Sequence, residues 1–214
     1  MNLLILAANG QIAQLVEQRI SQEPKFKEVH LTLGLRNRRR LIDLQDRARI
    51  LEVNLLSAPD VDSAVAGQDL VFVGMVDHSP DNVITHNVIE AMTKHDVQRV
   101  IFSNILGIYN EVGGEFGRWN YKQVLPGLQE AIHSDQLLAD SGLKYTTLRL
   151  PWLNDRAEVK YTITTRDQPY YGVSGSRQSM ADVVLQIIAN PSLFVNESIG
   201  IADPDTEGEK RPVY

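Results

Sequence analysis

The tightest constraint on this chain lies in its first thirteen residues. Asn2-Leu3-Leu4-Ile5-Leu6-Ala7 is an apolar run of strand length, and Ala8-Asn9-Gly10 follows as a turn of small residues. From Gln11 the spacing changes, and Ile12, Leu15, Val16, Arg19 and Ile20 mark one face of a helix. A strand, a small-residue turn and a helix place free backbone N–H groups and a positive dipole end where an anion can approach. Three-glycine turns of this type open dinucleotide-binding units, and here the three places read Ala7, Gly10 and Ala13. Only the middle glycine is kept. Ala13 is a permitted variant, whereas Ala7 adds a methyl group where the strand turns.

The rest of the chain continues the alternation. Strands are expected over 28–33, 48–55, 69–75, 99–103, 144–150 and 198–202. Helices are expected from Pro59 to Gly67 with Asp60 as N-cap, from Asp81 or Asn82 through Met92, over 129–140 and over 179–189. This order predicts an α/β fold: a single Rossmann-type, doubly wound parallel sheet with helices on both faces. The domain is expected to span 1–202. A glycine-bearing loop over 107–127 would overhang the ligand edge, and 203–214 would form a polar surface tail.

Composition narrows the function. At 214 residues the chain has room for one well-buried domain. Its net charge of −6 disfavours general nucleic-acid binding, which depends on neutralising phosphates. Without cysteine there is no disulfide, thiolate nucleophile or cysteine metal site. No segment approaches a membrane span or a signal peptide, so a cytoplasmic protein is expected, with a small-molecule substrate and a homodimer left open. The five histidines form no ligand pair, and no metal site is expected. His78 and His133 are the two that could approach the ligand edge.

Six ordered segments carry a family resemblance. They are Ile5 to Ala13, Leu51-Glu52-Val53-Asn54-Leu55, Asp69 to Met75, Val100-Ile101-Phe102-Ser103-Asn104, Ser141 to Pro151, and Ser179 to Val184. In this order they resemble the atypical short-chain dehydrogenase/reductase family, in its small NAD(P)-binding branch related to NmrA-like proteins and flavin/biliverdin reductases. The resemblance implies a cofactor site at Ala7, Asn9, Gly10, Gln11, Ile12, Asn54, Leu55, Gly74, Met75, Ser103, Pro151 and Trp152. It also implies Ser103 as a catalytic serine. Two departures stand out. Asn54 replaces the usual aspartate, and the family's Tyr-x-x-x-Lys pair is absent: Tyr109, Tyr121 and Tyr145 are followed by Gly113, Leu125 and Arg149.

Cofactor choice is readable in the residues themselves. An NAD site places an acid ~20 residues past the glycine turn, and near Gly34 there is none. Arg36, Arg38, Arg39 and Arg40 stand there instead. A guanidinium suits the 2′-phosphate of NADP, so NADP(H) is expected, with NAD(H) as the alternative, and Arg36 is the residue expected to read it. Ser103 either bonds a substrate carbonyl or caps the strand end. The aromatics of 107–127 (Tyr109, Phe116, Trp119, Tyr121) either receive a flat substrate or plug the sheet edge. The expected function is an NADPH-dependent reductase of a small flat acceptor. The alternative is a non-catalytic NADP(H) sensor acting through a protein partner.

Overall fold

The computed structural model describes residues 1–214, apart from the side chain of Ile42. Among the described residues, ten strands and six α-helices follow one another along the chain. In order they are β1 (Asn2–Leu6), α1 (Gln11–Gln22), β2 (His30–Leu35), β3 (Arg49–Glu52), α2 (Ala58–Val65), β4 (Leu70–Val73), α3 (Val83–Lys94), β5 (Arg99–Ile105), α4 (Gly114–Val124), α5 (Leu128–Asp140), β6 (Lys144–Leu150), β7 (Trp152–Asn154), β8 (Thr162–Thr164), β9 (Ser174–Ser176), α6 (Arg177–Ala189) and β10 (Glu197–Ala202).

The main sheet has the order β3-β2-β1-β4-β5-β6-β10-β8. Its pairings are parallel except for β8, which runs antiparallel to β10. Strand order reverses between β1 and β4, and such a switch point opens a crevice at the carboxyl ends of the strands. Leu3 to Leu6 are fully buried because both faces of β1 are covered, which is why the strand reads as an unbroken apolar run. Alternate residues divide between two cores. Leu3, Ile5, Phe72, Ile101 and Leu148 pack with α1 and α6, and Leu4, Leu6, Val71, Val73 and Phe102 pack with α2, α3 and α5. The doubly wound sheet expected from sequence is the one observed.

Several boundaries differ from expectation. The second strand begins at His30 rather than 28, because a turn over Pro24–Phe26 holds the Val29 N–H on the Phe26 carbonyl. It runs on to Leu35, so Arg36 is the first residue beyond it. Asp60 is not the N-cap of α2. Ser57 holds that place, and the Asp60 carboxylate accepts from the Ser57 hydroxyl at 2.8 Å and the Asn54 N–H at 3.0 Å. The last helix starts two residues early, capped by Ser176, whose hydroxyl accepts from the Ser179 N–H at 3.0 Å.

The largest correction concerns 107–127. It is not an extended loop, because α4 and a short helical turn over Leu125–Gly127 occupy its second half. Two of its glycines have defined structural roles. A Cβ at Gly117 would lie 2.0 Å from the Val112 carbonyl oxygen, and Gly107, at φ +107°, makes the turn out of β5. Residues 203–214 run back over β7, β9 and α4. Asn154 Nδ2 donates to the Val213 carbonyl at 2.9 Å, the Val213 N–H donates to Ser174 Oγ at 2.8 Å, and Lys210 pairs with Glu115 at 3.1 Å.

Candidate dinucleotide site at the switch point

The turn between β1 and α1 is built by backbone contacts. Ala7 adopts a left-handed conformation at φ +57°, where a glycine would sit without strain. The Gly10 N–H closes the turn on the Ala7 carbonyl at 3.0 Å. A Cβ on Gly10 would lie 3.3 Å from the carbonyl oxygens of both Ala7 and Gly74, so a larger residue there crowds the turn against the end of β4. Gly74 itself donates to the Leu6 carbonyl at 3.0 Å. Gly10 caps α1 with no side-chain hydrogen bond. The N–H groups at the start of α1 are therefore left, among the described residues, without a side-chain cap or an acid in the first turn.

Beside this turn is a cavity of about 270 Å³ lined by Ala7, Asn9, Leu35, Arg36, Val53, Asn54, Leu55, Leu56, Met75, Ser79 and Ile84. It brings together six of the residues expected from sequence: Ala7, Asn9, Arg36, Asn54, Leu55 and Met75. Gly10, Gln11, Ile12 and Gly74 border the turn rather than the cavity. Arg36 is exposed at the strand end, and Gly34 admits no side chain there, since a Cβ would meet Leu6 Cδ2 at 2.9 Å. Asn54 uses its side-chain oxygen on the Leu56 N–H at 3.2 Å, which shapes the rim.

Sequence reasoning passed over Asp77, which sets the far wall. Its carboxylate accepts from the N–H and hydroxyl of Ser79 (2.9 and 2.6 Å) and of Thr85 (2.8 and 2.7 Å). Burial alone would push this carboxyl up, but the four hydrogen bonds outweigh it and hold it below the usual carboxylate range. The chain after β4 is thereby fixed with Met75 and Ser79 toward the cavity. The signal was the Asp-x-Ser spacing, a local side-chain-to-backbone motif.

Farther along the same edge, Ser103 lies in β5 beside Leu148, 3% exposed, and its hydroxyl has no partner among the described residues. Asn104 has a structural role: its amide donates to the Ala131 carbonyl at 2.9 Å and its oxygen accepts from the Ile105 N–H at 2.7 Å. Pro151 is buried where β6 ends. Trp152 follows it, donating from Nε1 to Asn120 Oδ1 at 2.9 Å, with its ring centroid 4.7 Å from that of Trp119. Tyr109 lies against Arg149 of β6, whose guanidinium carbon is 5.3 Å from its ring centroid. Its hydroxyl donates to Asp135, and burial together with that carboxylate pushes the phenol well above its ordinary value. His78 is exposed, and His133 Nδ1 lies 2.8 Å from Asn82 Oδ1.

A 3-2-1-4-5-6 parallel sheet with a glycine-centred turn, an uncapped helix start and an adjoining cavity defines a dinucleotide-binding protein. The comparisons agree. A family model described as NAD(P)H-binding matches residues 7–191, and the chain belongs to that family. A Rossmann-fold NAD(P)-binding family protein from Shigella flexneri is 29% identical, with full coverage of this chain, 98% of the other and a TM-score of 0.77. A short-chain dehydrogenase/reductase from Veillonella parvula, solved in complex with NADP, is 24% identical over 100% of this chain and 99% of the other, at TM-score 0.89. ChuY, an anaerobillin reductase from Escherichia coli O157:H7, shares the fold at 18% identity, full coverage of both chains and TM-score 0.78. The cofactor is NAD(P)(H), and the site's free N–H groups, small-residue turn and adjoining cavity fit it. No described helix is long and apolar enough to cross a membrane.

Proposed function

We propose that the protein is an NADPH-dependent reductase of a small flat acceptor such as a flavin or quinone. One observation carries this reading. A single sheet edge holds the cavity with Arg36 at its β1–β2–β3 end and the Trp119–Trp152 ring pair where β6 stops. When bound, NADPH supplies a hydride, and that chemistry belongs to the cofactor. Gly10, Gln11, Ile12 and Gly74 leave backbone room for the pyrophosphate beside Ala7 and Asn9. Arg36 receives the 2′-phosphate, and Asn54, Leu55 and Met75 flank the adenosine. Ser103, Pro151 and Trp152 border the nicotinamide end, where the Ser103 hydroxyl offers one hydrogen bond to the acceptor. The fold shared with an enzyme named as an anaerobillin reductase supports a conjugated, flat acceptor.

The chain is suited to acceptors that need no matched acid. Tyr109 is held by Asp135 with its phenol pushed up, so it is a poor proton donor at neutral pH. A quinone or flavin delocalises the added electron pair and takes its proton from solvent. Positioning in a pocket closed by the 107–127 segment then supplies the rate. The tethered Tyr109 also favours the second reading, a non-catalytic NADP(H) sensor that acts through a partner.

The test is NADPH oxidation with quinone and flavin acceptors, using wild type, Ser103→Ala, Tyr109→Phe and Tyr121→Phe. Turnover is expected in all four, with Ser103→Ala slower by about tenfold, or ~1.4 kcal/mol of barrier. A loss of several orders of magnitude in either Tyr→Phe variant would reveal a catalytic tyrosine. Tight NADPH binding with no turnover on any acceptor would move the protein to the sensor class.

A further inference from the structure

A second cavity, about 700 Å³, opens beside α4. Its aromatic wall is Trp119 and Tyr121. Trp119 joins it to the sheet edge, because its ring lies against Trp152, which follows Pro151 directly at the end of β6. The charges around it are unbalanced. Arg118, Lys122 and Arg211 line the cavity against a single acid, Glu115. That acid is already engaged, with Lys210 Nζ at 3.1 Å and Arg211 Nη1 at 3.6 Å. A cluster with excess positive charge, on a chain whose net charge is −6, runs against the composition around it.

Arg211 is the best placed of these cations. Its guanidinium carbon lies 5.7 Å from the centroid of the Trp119 ring, within cation–π range. Nη1 donates to the Lys210 carbonyl and lies 3.6 Å from Glu115, which with the indole keeps the guanidinium ordered, and the Nε and Nη2 side of the fork matches the oxygens of a carboxylate, sulfonate or phosphate. The backbone carrying it is fixed as well, since the hydrogen bonds of Val213 to Asn154 and Ser174 dock the C-terminal segment on β7 and β9. A planar ligand could thus stack on aromatic surface while an anionic substituent meets Arg211.

We propose that this cavity is the acceptor subsite and that Arg211 selects a flat acceptor bearing an anionic group over its uncharged counterpart. The proposal takes the ligand's role as hydride acceptor from the reductase reading, whereas the binding preference is independent of turnover. The chain has two tryptophans: Trp119 lines this cavity and Trp152 lies against it, so intrinsic emission responds to a ligand bound there.

The experiment titrates tryptophan emission of the full chain with anthraquinone sulfonate and with uncharged hydroxymethyl anthraquinone. The sulfonate is expected to quench at roughly tenfold lower concentration. Arg211→Gln is expected to bring the two quinones together, and Arg211→Lys to restore part of the preference, because a point charge lacks the fork. Equal quenching by both quinones in wild type, or an unchanged preference in Arg211→Gln, overturns the proposal. NADPH oxidation with the same pair separates the two readings. Charge-dependent quenching with no NADPH oxidation by these quinones or by flavins upholds Arg211 as the anion-selecting group of the cavity and removes the reductase. Reduction of both quinones by NADPH at equal KM upholds the reductase and removes the subsite.

Discussion

Arg149 and Glu111 form an ion pair shut off from solvent: Nη1 and Oε1 lie 2.7 Å apart, and the side chains are 0% and 3% exposed. Arg149 also donates to the carbonyls of Thr164 and Ser198, at 3.2 and 3.1 Å. Glu111 accepts the N–H groups of Gly107 and Tyr109 at 3.1 and 3.0 Å. The pair therefore ties β6, β8 and β10 to the segment that leads from β5 into α4. Removing one partner strands the other charge in a dry environment. Glu111→Gln is expected to destabilise the fold by about 3 kcal/mol or more, whereas Glu111→Leu combined with Arg149→Met recovers much of the loss. Urea denaturation of both variants checks this. A double variant no better than the single would mean that packing, not charge, sets the cost.

Glu17 gives stability an unusual pH dependence. It is 2% exposed on α1 and neither carboxylate oxygen has a partner among the described residues. Burial pushes its pKa up from 4.5 to about 8. The folded state keeps this proton where the unfolded state has released it, so stability is fully present below pH 4.5 and falls as pH rises toward 8. Asp77 acts with the opposite sign. Its lowered carboxyl contributes stability above the unfolded value of about 3.9, and that contribution is lost on acidification. Glu17→Gln is expected to flatten the decline between pH 4.5 and 8 and to raise stability near pH 8 by on the order of 2 kcal/mol. Thermal melts across this range are the measurement. A wild-type curve already flat there would mean that Glu17 is ionised in the folded state.

The proposed site assigns cofactor choice to Arg36. Arg36→Ala is expected to weaken NADPH by about tenfold or more and leave NADH nearly unchanged, the loss of a charge-assisted contact to one phosphate. Calorimetric titration with both cofactors decides it. Equal affinities in wild type, unchanged in the variant, would reduce the arginine run to a solvated surface turn.

The turn after β1 offers two opposed substitutions. Ala7→Gly relieves a left-handed alanine, at φ +57°, and is expected to raise stability by roughly 0.5 kcal/mol, since the αL cost slightly exceeds the entropy glycine adds to the unfolded chain. Gly10→Val is expected to abolish cofactor binding while the fold persists, because its side chain would press on the Ala7 and Gly74 carbonyls and stand at the helix start. Circular dichroism alongside a cofactor fluorescence titration separates folding from binding. Full affinity in a folded Gly10→Val protein would place the pyrophosphate elsewhere.

Much of this architecture can be read without coordinates. Strands buried on both faces must be apolar throughout, so Leu3 to Leu6 and Leu70 to Val73 declare themselves. Helices that bury one face declare themselves by period, as Val16 and Ile20 do. The absence of an acid near Gly34, and the arginine beyond it, follow from residue identity and distance along the chain alone. All of these are local properties.

The remainder depends on what meets across the fold. The glycines of 107–127 suggest flexibility until Gly117 is seen against the Val112 carbonyl, an approach that leaves no room for a side chain. Arg149 sits between Leu148 and Leu150 in a strand buried from Tyr145 through Arg149, and a charge there implies a buried acid without saying which. Glu111, 38 positions earlier in the chain, takes the place only because the turn at Gly107 brings it back to Arg149. The C-terminal segment has the composition of a free tail, yet it docks through Asn154 and Ser174 and brings Arg211 to Trp119. Local sequence dictated the sheet, its helices and the dinucleotide turn, because periodicity and backbone preference act over a few residues. Tertiary structure decided the buried charge pair, the helix beside the second cavity and the cation against its tryptophan, because each joins residues whose attraction exists only once the sheet has brought them together.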